Sequence, residues 1–178
     1  MNQTFAQHDQ LSTVAASAQQ CLSFRLDNEE YAVDILKVQE IKGYSAVTPI
    51  PNAPPHIKGV MNLRGTVIPI IGLREKFGLP PVTYDKFTVV VILRIGSKVA
   101  GLVVDAVSDV LDMKECDVRP KPDLGTKVDT SCITGMLQHG ERLVILIDVE
   151  RVVSESGSAL DDAPAPVRAL EAAGHAHP

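Results

Sequence analysis

Two pairs of stretches in this chain repeat one another in the same order, which limits the fold to architectures built from two copies of one unit. Ile57 to Phe77 reads IKGVMNLRGTVIPIIGLREKF. It leads through Gly59 to a turn at Asn62-Leu63-Arg64-Gly65, then into Val67–Ile71, short and β-branched enough for a buried strand. Leu73 to Phe77 suits one helical turn, with Leu73 and Phe77 on one face and Gly78 and Pro80 as stop signals. Ile133 to Val153 (ITGMLQHGERLVILIDVERVV) repeats this at an offset of 76, from Gly59 to Gly135 (135 − 59). Val67–Ile71 then falls on Leu143–Ile147, and Leu73/Phe77 on Val149/Val153. Gly65 and Gly140 are out of step by one residue, which predicts hairpin turns of different type.

The second pair is Phe24 to Ile41 (FRLDNEEYAVDILKVQEI) and Leu93 to Val110 (LRIGSKVAGLVVDAVSDV), at an offset of 69 (93 − 24) without a gap. The turns Asp27-Asn28 and Gly96-Ser97 coincide, and Val38, Glu40 and Ile41 match Val107, Asp109 and Val110. A duplicated unit follows, with halves at about residues 21–84 and 85–153. The alternation does not say whether the halves fold in sequence or exchange strands.

Residues 1–20 are polar and rich in Gln and Ala and are expected to form a flexible leader; residues 154–178 are expected to form a flexible tail with a short helix around Val167–Ala173. Between them, Leu22/Phe24/Leu26 and Tyr31-Ala32-Val33 flank a turn and predict a hairpin. Ile35 to Ile41 suits a short helical or twisted segment, and Thr88–Leu93 and Val99–Val104 suit strands. Pro49 to Pro55 is expected to be a rigid, extended connector, and Asp117–Thr134 a long polar loop. Many short strands with Gly and Pro punctuation indicate an all-β fold of antiparallel barrels with short helices.

Composition excludes several functions. Net charge is −5 with no basic stripe, aromatics are 4% and there is no Trp, which disfavours nucleic acid as a partner. The first twenty residues lack the basic start and apolar run of a secretory signal, and no stretch has the ~20 apolar residues of a membrane span, so a cytoplasmic protein without membrane insertion is expected. Cys21, Cys116 and Cys132 have no metal-site spacing and fit free thiols in a reducing compartment.

No catalytic signature is present. Gly125-Thr126-Lys127 lacks the preceding glycine and strand of a phosphate loop, and there is no G-x-S-x-G elbow. Of the five histidines, His8 is in the leader, His175 and His177 are in the tail, and His56 and His139 fall in predicted loops, so neither a metal nor a cofactor is expected. Two charges stand out among apolar neighbours: Glu40, between Val38 and Ile41, and Arg64, on the central turn. As plain surface charges they would form an ion pair worth ~0–1 kcal/mol. As a recognition point, an Arg ringed by exposed apolar residues suits a protein interface.

The segments YAVDILKVQEIKGY, IKGVMNLRGTVIPIIGLR, VVDAVSDVL and ITGMLQHGERLVILIDVERVV resemble the CheW family of bacterial chemotaxis coupling proteins, from about Leu22 to Val153. The resemblance implies two SH3-like five-stranded β-barrels around a shared apolar interface, and an adaptor, not an enzyme. It implies as partners the cytoplasmic tips of methyl-accepting chemoreceptors and the regulatory domain of the histidine kinase CheA, with other copies of the fold alternating in rings within receptor arrays. Carried over by motif, Glu40 and Arg64 are expected to contact each other and order a receptor-facing surface. Val38, Val89, Gly101 and Val107 are expected on or beside a receptor-binding groove between the barrels, and Ile41, Gly43 and Gly59 at the kinase contact. Plain core packing for the valines, and turn flexibility for the glycines, remain open alternatives. Two rival readings stand beside this one. One is a coupler of a parallel pathway controlling pili, gliding or development. The other is a small-ligand protein using the inter-barrel cleft, which the apolar lining expected there disfavours. A CheV-like protein is disfavoured because little chain follows Val153.

Overall fold

The structure is a computed structural model that describes residues 19–45, 47–121 and 130–161, with the side chains of 115 and 158–161 left aside. Residues 1–18 of the expected leader, the loop cation Lys127, the tail histidines and the helix around Val167–Ala173 lie outside the described residues, while Gln20 begins the first strand. Eleven strands are described: β1 Gln20–Leu26, β2 Glu29–Asp34, β3 Val38–Gly43, β4 Ile57–Leu63, β5 Thr66–Gly72, β6 Val89–Ile95, β7 Lys98–Val104, β8 Ala106–Asp112, β9 Asp117–Arg119, β10 Ile133–His139 and β11 Arg142–Ile147. Helix α1 is Leu73–Lys76 and α2 is Val149–Asp161, with single 3₁₀ turns at Ile35–Lys37 and Met113–Glu115.

The halves exchange hairpins. One sheet runs β3-β6-β7-β5-β4 and the other β8-β1-β2-β11-β10-β9, so hairpin β6–β7 of the second half completes the first sheet and β1–β2 of the first half completes the second. The register repeats residue for residue. Val38 faces Leu93 and Glu40 faces Ile92 with a bulge between; Val107 faces Phe24 and Asp109 faces Ser23 with the same bulge. Gly59 opposite Ile70 is matched by Gly135 opposite Leu146, and Ile70 opposite Gly101 by Leu146 opposite Ala32. The last pairings are parallel seams, so each sheet departs from pure antiparallel order at one of the two edges where an exchanged hairpin docks. The chain beyond each outer strand curls back to the far side of its own sheet: Thr48 bridges Val60 of β4, and β9 pairs with β10. The two sheets thus have the barrel-like form expected, with five strands in one and six in the other.

Exchange is possible because the hairpins are apolar on both faces. In β6, Val90 and Ile92 enter the interior of the five-stranded sheet beside Ile68, Ile70 and Val103, while Val91 and Leu93 face the other sheet. In β1 and β2, Cys21 and Ala32 point into the six-stranded sheet with Leu137 and Val144, while Phe24, Leu26 and Val33 join the layer between sheets. That shared layer holds eighteen buried residues, against seven and five inside the two barrels, so most of the burial that stabilises either half requires the other.

Helical residues close the layer. Leu73, Val149, Val152 and Val153 are buried in it, the matched pair Leu73 and Val149 among them. Helix α2 continues to Asp161, where a loose tail was expected from Ser154; Ser156 is fully buried and its hydroxyl donates to Val152 O at 2.7 Å. The segment from Asp117 is likewise not all loop: Asp117–Arg119 forms β9, with Val118 opposite Leu137. The proline connector is not fully extended, since Asn52 takes φ 61° and Ala53 N–H donates to Ile50 O at 3.4 Å, letting Ile50 and Ala53 pack on the core.

Candidate functional site

Glu40 and Arg64 form an ion pair, Nη1 to Oε2, at 2.8 Å. Each is placed by a local irregularity. The bulge at Gln39 turns Glu40 onto the face of β3 shared with Ile92. Arg64 and Gly65 form the two-residue loop of hairpin β4–β5, with φ 50° and 86°; positive φ at both positions is the I′ geometry that matches strand twist. Arginine is a poor choice there, and the turn is held by Asn62, whose Oδ1 accepts the Gly65 N–H at 2.8 Å. The Arg64 side chain stays 71% exposed while Glu40 is 21% exposed, so the cation projects from the barrel over a mostly covered carboxylate. Lys42 lies 4.0 Å from the same carboxylate.

The second half lacks this feature. The positions matching Glu40 and Arg64 are Asp109 and Gly140. In the β10–β11 turn only Gly140 has positive φ (62°), which agrees with the different turn type expected. That hairpin closes without an arginine, so the scaffold does not require one.

The other expected site residues divide by position. Val38, Val89 and Val107 are half-buried and pack against the layer between sheets. Ile41, 43% exposed, and Gly43, also exposed, lie opposite Val91 and Val89, so they share the valines' face and lie across β3 from Glu40. Gly101 is not on a surface: it is buried inside the five-stranded barrel, and a Cβ there would stand 2.6 Å from Val90 Cγ1 and 2.7 Å from Ile70 Cδ1. Gly59 is also buried, with φ 144° and room for a Cβ only 2.0 Å from Thr48 O, so the backbone bridge to Thr48 requires glycine. Its apolar surroundings hid Gly101 from sequence reading, which sees neighbours along a strand and not across a barrel.

Sequence reading also passed over Arg74, which it assigned to a plain helical turn. The side chain is only 7% exposed; Nη2 donates to Asp27 Oδ1 at 3.2 Å, Nη1 donates to Pro80 O at 3.1 Å, and Nε lies 3.2 Å from Asp105 Oδ1, out of line for a hydrogen bond. Arg74 thus ties α1 to the exchanged β1–β2 hairpin and to the β7–β8 crossing. The matched residue in the other half is Glu150, which pairs with Lys37 at the β2–β3 crossing with the charges reversed. A basic residue matched by an acidic one at the 76 offset was the available signal.

The chemistry on offer is that of a binding surface. Burial, with Asp34 and Cys116 adding, pushes the Cys21 thiol up to about 11, and burial also raises Cys132, so both are protonated and poor nucleophiles at neutral pH. Among the described residues no three of His, Cys, Asp and Glu stand together to hold a metal, and no helix is long and apolar enough to cross a membrane. A cleft of about 610 Å³ beside Arg25, Arg74, Phe87 and Asp105 is polar, and none of Val38, Val89, Gly101 and Val107 lines it. Its polar groups largely serve one another: Asp105 Oδ2 accepts the Asp27 N–H at 2.8 Å, and Asp85 Oδ1 accepts the Phe87 N–H at 2.8 Å.

A pseudo-symmetric pair of β-barrels, with an exposed ion pair on one of them, presents a surface suited to binding. The CheW-like domain model matches residues 20–157, and the chain belongs to that family, whose members serve as non-catalytic chemotaxis scaffolds. It is 51% identical over 144 residues to a chemotaxis protein CheW of Klebsiella aerogenes, covering 81% of this chain and 87% of the relative, and 35% identical over 131 residues to that of Rhizobium meliloti, covering 74% and 84%. The crystal structure of the scaffolding protein TtCheW from Thermoanaerobacter tengcongensis superposes with a TM-score of 0.66 at 33% identity, covering 74% of this chain and 84% of that one.

Proposed function

We propose that this chemotaxis adaptor couples the cytoplasmic tips of chemoreceptors to the regulatory domain of the histidine kinase CheA, and that it works within membrane-associated receptor arrays. The observation that carries the reading is the Glu40–Arg64 pair: an exposed cation in a backbone conformation unfavourable to arginine, present in one half and dispensable to the matching turn of the other. A feature that the fold does not require is best explained by what it contacts. Receptor contact is assigned to Glu40 and Arg64, with Val38, Val89 and Val107 as the apolar lining suited to a helix laid in a groove. Kinase contact is assigned to Ile41 and Gly43; Gly59 and Gly101 act through the backbone and packing that hold these surfaces. With no chemistry of its own, the adaptor acts by binding its partners' kinase-on and kinase-off arrangements with different affinity.

The test is CheA autophosphorylation with receptor-bearing membranes, with and without the protein. Strong activation that attractant suppresses is the expected result. No activation by the folded protein, with every receptor and kinase set of its organism, would overturn the proposal. Activation with only a second set would move the adaptor to a parallel pathway.

A further inference from the structure

We propose that Asn62 is a positioning residue for receptor recognition, one that acts by holding Arg64 in the conformation that presents its guanidinium over Glu40. The inference rests on the receptor reading of the Glu40–Arg64 pair and extends it to a residue that touches neither partner. Three observations carry it. Arg64 has φ 50°, which side-chain-bearing residues adopt reluctantly, so the turn needs an external hold. The Asn62 side chain supplies one, taking the Gly65 N–H at 2.8 Å, although strand position 62 lies outside the two-residue loop and opposite Val67. The matched residue in the second half, Gln138, also bonds its turn, but in the opposite sense, donating from Nε2 to Gly140 O at 3.1 Å. There the positive φ falls on glycine alone, so no residue with a side chain has to be held in that conformation.

The chemistry sets a clear requirement at position 62. An acceptor two bonds beyond Cβ can reach the Gly65 N–H; a methyl group cannot, and the turn can then relax so that Arg64 leaves the αL region. Releasing the turn does not unfold the hairpin, because the pairing of Leu63 with Thr66 and the burial of Met61, Leu63 and Ile68 persist. Asn62 should therefore affect recognition more than stability. It should do so only through Arg64.

The experiment measures binding of the full chain to receptor-bearing membranes for Asn62→Ala, Asn62→Asp, Arg64→Ala and the Asn62→Ala/Arg64→Ala double variant, with the melting midpoint of each. Asn62→Ala is expected to weaken binding about threefold to tenfold, the worth of one such hydrogen bond. Asn62→Asp, which keeps the acceptor, should restore most of the loss, and the double variant should bind no more weakly than Arg64→Ala alone. Unchanged binding of Asn62→Ala beside a weakened Arg64→Ala, or additive losses in the double variant, would overturn the positioning role and leave the receptor reading standing. Unchanged binding of Arg64→Ala would overturn both. If Asn62→Ala fails to fold, Asn62→Asp decides: wild-type stability with weakened binding would count against the proposal, and full binding would support it.

Discussion

Ile70 lies opposite Gly101 across the parallel seam of the five-stranded sheet, where Leu146 lies opposite Ala32 in the other. Both seams therefore have a small residue where a strand of one half meets the exchanged hairpin of the other. At Gly101 the space is tighter, since a Cβ would press on Val90, Ile70 and Ile92. Gly101→Val is expected to lower stability by about 2–3 kcal/mol through overpacking and to weaken receptor and kinase binding together. Urea titration checks the first part. Loss of receptor binding alone, at wild-type stability, would return Gly101 to the binding surface.

Arg64→Asp places two carboxylates together where an ion pair stood. With Arg64 71% exposed, the pair contributes at most about 1 kcal/mol to stability, so the melting midpoint should change little. Receptor-dependent kinase activation should fall at least tenfold if the cation meets a partner in a covered interface. The reciprocal exchange, Glu40→Arg with Arg64→Glu, should recover the midpoint but not the activation.

Arg74→Met removes a buried cation facing Asp27 and Asp105. The two carboxylates then stand near each other, with the Asp27 N–H as their remaining link. A loss of about 2–4 kcal/mol is expected, and hydrogen exchange should show the β1–β2 hairpin opening first, because this arginine ties it to α1. Unchanged protection of β1 and β2 would show that the hairpin is held by the apolar layer alone.

His56 is expected to make the fold acid-sensitive. Burial first, and the Lys76 ammonium second, hold its pKa below the ordinary 6.5. The unfolded chain thus takes up the proton first: the contribution is fully present above about 6.5 and is lost as the pH falls below it. The urea midpoint should fall between pH 7.5 and 5.5, and His56→Asn should flatten that slope. An equal slope in the variant would place the effect elsewhere.

The residue order alone determined the duplication, both offsets, the differing hairpin turns and the two charges that prove to be paired. These are local or periodic properties: alternation, turn chemistry and spacing act over a few residues and are written directly in the chain. The partner of each hairpin was decided only by the tertiary structure. β1–β2 and β6–β7 are apolar on both faces, so their alternation is equally compatible with packing into their own half or the other. For the same reason Gly101 could not be separated from a groove lining, nor Arg74 from a surface helix. Whether a small residue meets Ile70 inside a barrel, or an arginine meets two aspartates from 47 and 31 positions away (74 − 27 and 105 − 74), depends on which strands lie side by side. That choice belongs to the packing of the whole chain, in which the layer between the sheets holds more buried residues than both barrel interiors together.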